Sequence, residues 1–195
     1  MISLSSDMFA RLALVFSGVV LAGAVHAQTM DFACPAPGTV FVFDSGTQVV
    51  ARGQDKNDCL MDVAGGAPFR MRSLLFTNPA PDGSDSTAFI AALKPERLWP
   101  LEVGKRIEAT YSGITGSGAK GSWTYVLSVA RRQTLTGPGG KPFDTFVVEM
   151  NETGQNTYRS VSRWWISPEA KYLIRFDSSD SNNVSSRALV TAITK

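Results

Sequence analysis

The sequence predicts an all-β protein in which about nine or ten strands form an antiparallel meander, folded as a sandwich or a half-open barrel. Apolar residues recur with a period of two along most of the chain, which is typical of strands with one buried face. Short turns rich in Gly, Pro, Ser and Asn separate these segments. Because no repeat or linker divides the chain, residues 28–195 are expected to form a single β domain.

The first half of the domain has four predicted strands, at 39–43, 47–52, 59–63 and 69–76. The first two flank the tripeptide Asp44-Ser45-Gly46, a three-residue turn with glycine that is typical of a hairpin. The short apolar run at 88–93 fits a strand or a helix equally well. Pro95 and Pro100 then make a long helix unfavourable in that region.

The second half has six predicted strands, at 105–111, 121–130, 143–151, 157–166, 172–176 and 187–194. Alternation in the second of them places Trp123 and Tyr125 on the same face of the sheet. Trp164 and Trp165 are consecutive, so we expect them to face opposite sides of their strand and to differ in environment.

Residues 1–27 have the features of a secretory signal peptide. Arg11 precedes a short apolar run, and Val25 and Ala27 are small residues at a suitable cleavage site. The run is shorter than the ~20 apolar residues that a membrane-spanning helix needs. No second run of spanning length follows. The mature chain is therefore expected to lack a transmembrane segment and to be periplasmic or secreted.

Cys34 and Cys59 are the only cysteines. Two thiols in a small exported domain usually pair, so a Cys34–Cys59 disulfide is expected. Their spacing is not that of a C-x-x-C redox centre.

The only histidine is His26, which lies within the predicted signal peptide. A mature chain without histidine has no Ser-His-Asp or Cys-His catalysis and no His-ligated metal site. The net charge of +2 is too small to indicate a basic surface for binding nucleic acid. The sequence therefore predicts no cofactor, no metal site and no nucleic-acid partner.

Four motifs, two of which overlap at 116–121, have a possible functional interpretation. Residues 116–121 match G-x-G-x-x-G, and Ser117 with Lys120 matches S-x-x-K, but a predicted strand rather than a helix follows, which favours a hairpin loop. The oxygen-rich stretch 177–183 lacks the Gly and the distal Glu of a calcium loop, so a turn is favoured. Glu149 and Glu152 are candidates for the carboxylate pair of a glycosidase.

Segments 100–104, 143–146 and 165–169 contain P-L-E-V-G, F-D-T-F and W-I-S-P-E. Together they resemble the P-L-x-V-G, G-x-F-x-T-F and W-x-S-P-E segments of a group of poorly characterised exported bacterial proteins with antiparallel β domains. The resemblance covers residues 98–176, and Lys141-Pro142 stands where that pattern has Ala-Gly. It implies a β fold and an envelope location, and it implies no catalytic residues.

The sequence favours binding over catalysis and predicts no catalytic residue. The expected ligand is an apolar small molecule or an envelope protein, held against a curved sheet. The predicted ligand-binding residues are the large aromatic residues of the second half, Trp123, Tyr125, Trp164, Trp165 and Tyr172. The alternative is a histidine-free hydrolase that uses paired carboxylates. An apolar cavity without convergent carboxylates would favour binding, and a cleft with two of them would favour the hydrolase.

Overall fold

The computed structural model describes residues 29–78, 87–114, 120–155 and 157–195. The predicted signal peptide and most of the 116–121 motif lie outside these ranges. Within them the fold is all-β and antiparallel, as predicted, with one short helix, α1 (Thr87–Leu93). The strands are β1 (Val40–Phe43), β2 (Gln48–Asp55), β3 (Asp58–Val63), β4 (Pro68–Arg72), β5 (Phe76–Asn78), β6 (Arg106–Ile114), β7 (Lys120–Thr136), β8 (Pro142–Thr153), β9 (Arg159–Ser167), β10 (Tyr172–Asp180) and β11 (Ser185–Thr194).

All eleven strands belong to one open sheet, with the order β5-β4-β3-β2-β1-β11-β10-β9-β8-β7-β6. The sheet consists of two meanders, β1 to β5 and β6 to β11, joined where β1 pairs with β11. The predicted meander is thus confirmed. Of the two predicted arrangements, the single open sheet fits a half-open barrel and not a sandwich of two sheets.

The sheet curls strongly. In a flat sheet β5 and β9 would be roughly 34 Å apart, since six strands separate them and neighbours are spaced by about 4.8 Å. Instead the rings of Phe76 in β5 and Trp164 in β9 have centroids 5.6 Å apart. Helix α1 lies between the two edge strands, because Phe89 contacts Phe76 in β5 and Tyr111 in β6. The face inside this curl is called the inner face.

The main core lies on the inner face. Alternate residues of each strand point inward, and their burial removes apolar surface from water at roughly 1.5–3 kcal/mol per large side chain. The fully buried members include Phe41, Met61, Leu127, Val129, Phe146 and Ile166.

A smaller core lies on the outer face. There Val147 and Ile174 are fully buried and Trp165 is 4% exposed. The hairpin of β7 and β8 is long, and the 3₁₀ turn at its tip, Pro138–Gly140, packs against β11. The indole Nε1 of Trp165 donates to Oε1 of Gln133 at 3.1 Å, and the Arg175 guanidinium lies 4.6 Å from its ring centroid.

Two segments differ from the sequence prediction. The single strand predicted at 69–76 is two strands, because Ser73 and Leu74 adopt positive φ angles of 54° and 59° and reverse the chain. The ambiguous run at 88–93 is helical. Its Ile90 and Leu93, three residues apart, are both buried on one face of α1.

The N-terminal segment is attached to the rest of the fold by three contacts. Cys34 forms a disulfide with Cys59 in β3, as predicted. The backbone of Met30 pairs with that of Leu101, and Phe32 packs edge-on against Trp99 with centroids 5.3 Å apart. Across the described ranges, no helix has the length and apolar character needed to cross a membrane.

Replacing both cysteines, as Cys34→Ala with Cys59→Ala, should lower the free energy of unfolding by about 3–4 kcal/mol, because the loop that the disulfide closes in the unfolded chain is released. Urea denaturation of the wild type and the double variant measures this difference. Thiol labelling of denatured, non-reduced wild type should find no free thiol. Two reactive thiols in that sample would contradict the pairing.

Candidate functional site

A cavity of about 570 Å³ lies between the inner face of the sheet and α1. We call it the inner cavity. Apart from Thr77 and Glu152, its wall is made of apolar and aromatic side chains, namely Phe43, Val49, Phe69, Met71, Leu75, Phe76, Phe89, Tyr125, Met150, Trp164, Tyr172, Leu173, Phe176 and Ala188. The volume falls within the range of about 300–1,000 Å³ that is usual for small-molecule sites, and the lining matches their mostly apolar character.

Five aromatic rings form a continuous row along the cavity wall. Trp164 contacts Phe176 and Phe76, with centroids 5.4 Å and 5.6 Å apart. Phe89 extends the row, at 5.4 Å from Phe76 and 4.5 Å from Tyr125. These spacings and tilted or edge-on geometries are the ones that aromatic pairs prefer. These ring contacts therefore connect elements that are distant in sequence, namely β5, α1, β7, β9 and β10.

Tyr172 is a deeply buried residue of the cavity wall. Its ring stacks on Phe41 with centroids 4.1 Å apart and it is 2% exposed. Burial alone raises the pKa of its phenol well above the ordinary value, so the side chain stays neutral across physiological pH.

Glu152 in β8 brings a carboxylate to the cavity. Its Oε1 accepts a hydrogen bond from the Tyr125 hydroxyl at 3.2 Å, and its Oε2 accepts one from Ser160 Oγ at 2.8 Å. Burial, followed by the nearby charge of Glu152, raises the pKa of Tyr125 well above its ordinary value. Tyr125 therefore remains a neutral donor to the carboxylate at all physiological pH values.

The structure brings three of the five predicted binding residues together, since Trp164, Tyr125 and Tyr172 line the inner cavity. Trp123 lies beside it on the same face of β7, with its ring stacked on Tyr111 at 6.2 Å. Trp165 lies outside the cavity, on the outer face, because consecutive residues of a strand point in opposite directions. The predicted difference in environment between Trp164 and Trp165 is confirmed.

Sequence reasoning did not identify Phe76, Phe89 and Phe176 as cavity residues. Phe176 could have been found, because its register partner is Trp164 and directly paired residues share a face. Phe89 belongs to the run whose helical state was ambiguous. Phe76 follows the unexpected chain reversal at Ser73 and Leu74.

Glu149 and Glu152 do not face each other. They are three residues apart in β8, so they project from opposite faces of the sheet. Glu149 is on the outer face, where its Oε2 accepts a hydrogen bond from Arg163 Nε at 2.7 Å. Burial raises the pKa of Glu149, but hydrogen bonds from Arg163 and Asn151 outweigh that effect and hold it below the ordinary value. The two carboxylates therefore cannot flank one glycosidic bond.

The remaining motifs have structural explanations where the structure describes them. Strand β7 begins at Lys120, so no helix follows the G-x-G-x-x-G segment to receive a dinucleotide phosphate. In the stretch 177–183, Oδ1 of Asp180 accepts hydrogen bonds from the backbone N–H of Asn182 and of Val184, both at 2.9 Å. These bonds stabilise a turn, as predicted for this stretch. In the described part of the chain, no group of three His, Cys, Asp or Glu side chains could hold a metal ion.

No protein-family model matches the chain, and no curated protein sequence matches it. Among solved structures, the chain is similar to the crystal structure of the hypothetical lipoprotein YmcC from Escherichia coli (K12). That similarity has 13% sequence identity and a TM-score of 0.46, and it covers 84% of this chain and 88% of the other. The motif resemblance of segments 100–104, 143–146 and 165–169 stays a prediction.

Trp164→Ala and Trp165→Ala should each lower the free energy of unfolding by about 3–5 kcal/mol, because both indoles are buried on their own faces of the sheet. Val184→Ala is the control, since that side chain is 64% exposed and its truncation should change stability by less than about 0.5 kcal/mol. Urea denaturation of the three variants measures the losses. A small loss at either tryptophan would contradict the assignment of two cores.

Proposed function

We propose that the protein is a non-catalytic binding module that holds the apolar part of a small molecule in the inner cavity. The observation that carries this proposal is the cavity itself, an apolar and aromatic space of about 570 Å³ with a polar group at its wall. The cavity is partly open to solvent, so its apolar wall is in contact with water, which is unfavourable. A bound apolar ligand would remove that wall from water.

The geometry favours binding over the alternative of a paired-carboxylate hydrolase. Glu152 is the only carboxylate among the described lining residues of the cavity. Its neighbour in sequence, Glu149, is on the other face and is paired with Arg163. General acid and base catalysis of glycoside cleavage needs two carboxyl groups on either side of the same bond, and this arrangement does not provide them.

The proposal includes a place of action. A signal peptide at residues 1–27 would direct export, and residues 28–195 would act as a single β domain in the periplasm or after secretion. The Cys34–Cys59 disulfide supports this compartment, because structural disulfides persist in oxidising environments. The partner is then an apolar small molecule of the envelope. An envelope protein as partner is the alternative outcome, in which the cavity stays empty.

The neutral fluorophore N-phenyl-1-naphthylamine should bind the domain saturably, with a rise in fluorescence as it leaves water. Ala188→Phe should weaken this binding about tenfold or more, because the added ring would occupy cavity volume. Arg187→Phe is the matched control, since it places the same ring one residue away on the outer, exposed face of β11. Fluorescence titration of the three proteins gives the affinities.

Folding of both variants is checked by thermal unfolding before the titrations are compared. The proposal requires the Arg187→Phe protein to bind like the wild type. Absence of saturable binding to the wild type, or equal losses in the two variants, would show that the inner cavity is not a ligand site.

A further inference from the structure

The carboxylate of Glu152 has no cationic partner within the described part of the chain. Among the described residues, the groups that donate hydrogen bonds to its two oxygens are neutral hydroxyls, those of Tyr125 and Ser160. The ion pairs that the described residues form all involve other carboxylates. A half-buried carboxylate loses hydration, and neutral donors offset that loss less than a cation does.

The arginines of β9 and β10 that form ion pairs lie on the opposite face. Arg163 in β9 pairs with Glu149, and Arg175 in β10 pairs with Asp177, both on the outer face. Strand alternation keeps those arginines away from the inner face, since residues of one parity share one side. Arg163 and Arg175 therefore do not neutralise Glu152, which lies on the inner face.

A second carboxylate, that of Asp180, lies on the same face of the sheet but is not among the residues that line the cavity. Glu152, Ser160 and Asp180 are register partners across β8, β9 and β10, so all three lie on the inner face. Both carboxylates act on the phenol of Tyr158, whose pKa is raised first by its burial, then by Glu152, and also by Asp180. Tyr158 thus lies near two negative charges of the inner face, and of these Glu152 alone lines the cavity beside the row of aromatic rings.

Aromatic rings beside a carboxylate suit one chemical class of ligand. The faces of Trp, Tyr and Phe rings attract cations, and their area packs against apolar chains. A carboxylate accepts charge-assisted hydrogen bonds from an ammonium group, which are stronger than those from neutral donors. Tyr125 connects the aromatic row with the carboxylate, because its ring is the last of the row and its hydroxyl donates a hydrogen bond to Glu152.

We propose that the ligand of the inner cavity is a cationic amphiphile, whose ammonium group is held by Glu152 and whose apolar chain lies along the aromatic row. This inference rests on the proposed binding function and deepens it by naming the ligand class. An anionic amphiphile such as a fatty acid is disfavoured by the same charges, and a neutral one is bound through the apolar wall alone.

Three probes of equal chain length test the inference, dodecylamine, dodecanol and dodecanoate, each below its micelle concentration and in competition with N-phenyl-1-naphthylamine. Dodecylamine should bind the wild type about tenfold or more tightly than dodecanol, because it adds a charge-assisted hydrogen bond. Dodecanoate should bind more weakly than dodecanol. Glu152→Gln should remove the preference for the amine, measured within that variant as the ratio of its affinities for dodecylamine and dodecanol.

Glu149→Gln is the matched control. It removes one negative charge from the same strand, three residues away and on the outer face, so it tests whether net charge alone sets the preference. The control should keep the preference for dodecylamine. Failure of all three probes to bind the wild type would overturn the binding function itself.

If dodecanol binds but the wild type shows no preference for the amine, the cationic ligand class is wrong and the binding function stands. That comparison needs no variant. Retention of the preference in a folded Glu152→Gln protein, or its equal loss in the Glu149→Gln control, would also overturn the role of Glu152.

Discussion

The edge strands β5 and β6 do not pair with each other, and the fold depends on how the space between them is filled. The sheet curls far enough to bring Phe76 of β5 against Trp164 of β9, yet it stays open. Helix α1 lies in the opening and contacts both edges through Phe89. The open sheet with a helix across the gap leaves an apolar space inside.

Strand alternation then assigns different chemistry to the two faces. The outer face carries ion pairs such as Arg163 with Glu149, together with a local core around Trp165 under the long β7–β8 hairpin. The inner face carries the main core, the aromatic row and Glu152. Consecutive residues such as Trp164 and Trp165 therefore belong to different cores, one on each face of the sheet. Surface ion pairs contribute little to stability, so the fold rests on the apolar packing of both faces.

Much of this arrangement follows from local sequence patterns. The period of two and the turn residues predict the antiparallel meander, and the predicted export together with two cysteines predicts the disulfide. Alternation also places Trp164 and Trp165 on opposite sides. Local patterns do not contain the register of distant strands or the degree of curl. The contact between Phe76 and Trp164 depends on both, so the cavity and its aromatic row could not be derived from the sequence.

The chain reversal at Ser73 and Leu74 is a second feature that local sequence patterns do not predict. Neither residue type favours the left-handed region, so the sequence predicts an uninterrupted strand there. Burial of Leu74 and Leu75 accompanies the reversal and offsets its conformational cost. Tertiary packing thus overrides a local preference, and the short strand β5 that results supplies one edge of the opening.

The tryptophan indole N–H groups provide a direct test of the inner cavity as a ligand site. Trp164 lines the cavity, whereas the Nε1 of Trp165 donates to Gln133 on the outer face and that of Trp99 donates to the backbone of Ser73. A ¹H–¹⁵N NMR titration with dodecylamine should shift the indole signal of Trp164 saturably and leave those of Trp165 and Trp99 in place. Movement of the Trp165 signal with a stationary Trp164 signal would place the ligand on the other face and contradict the account.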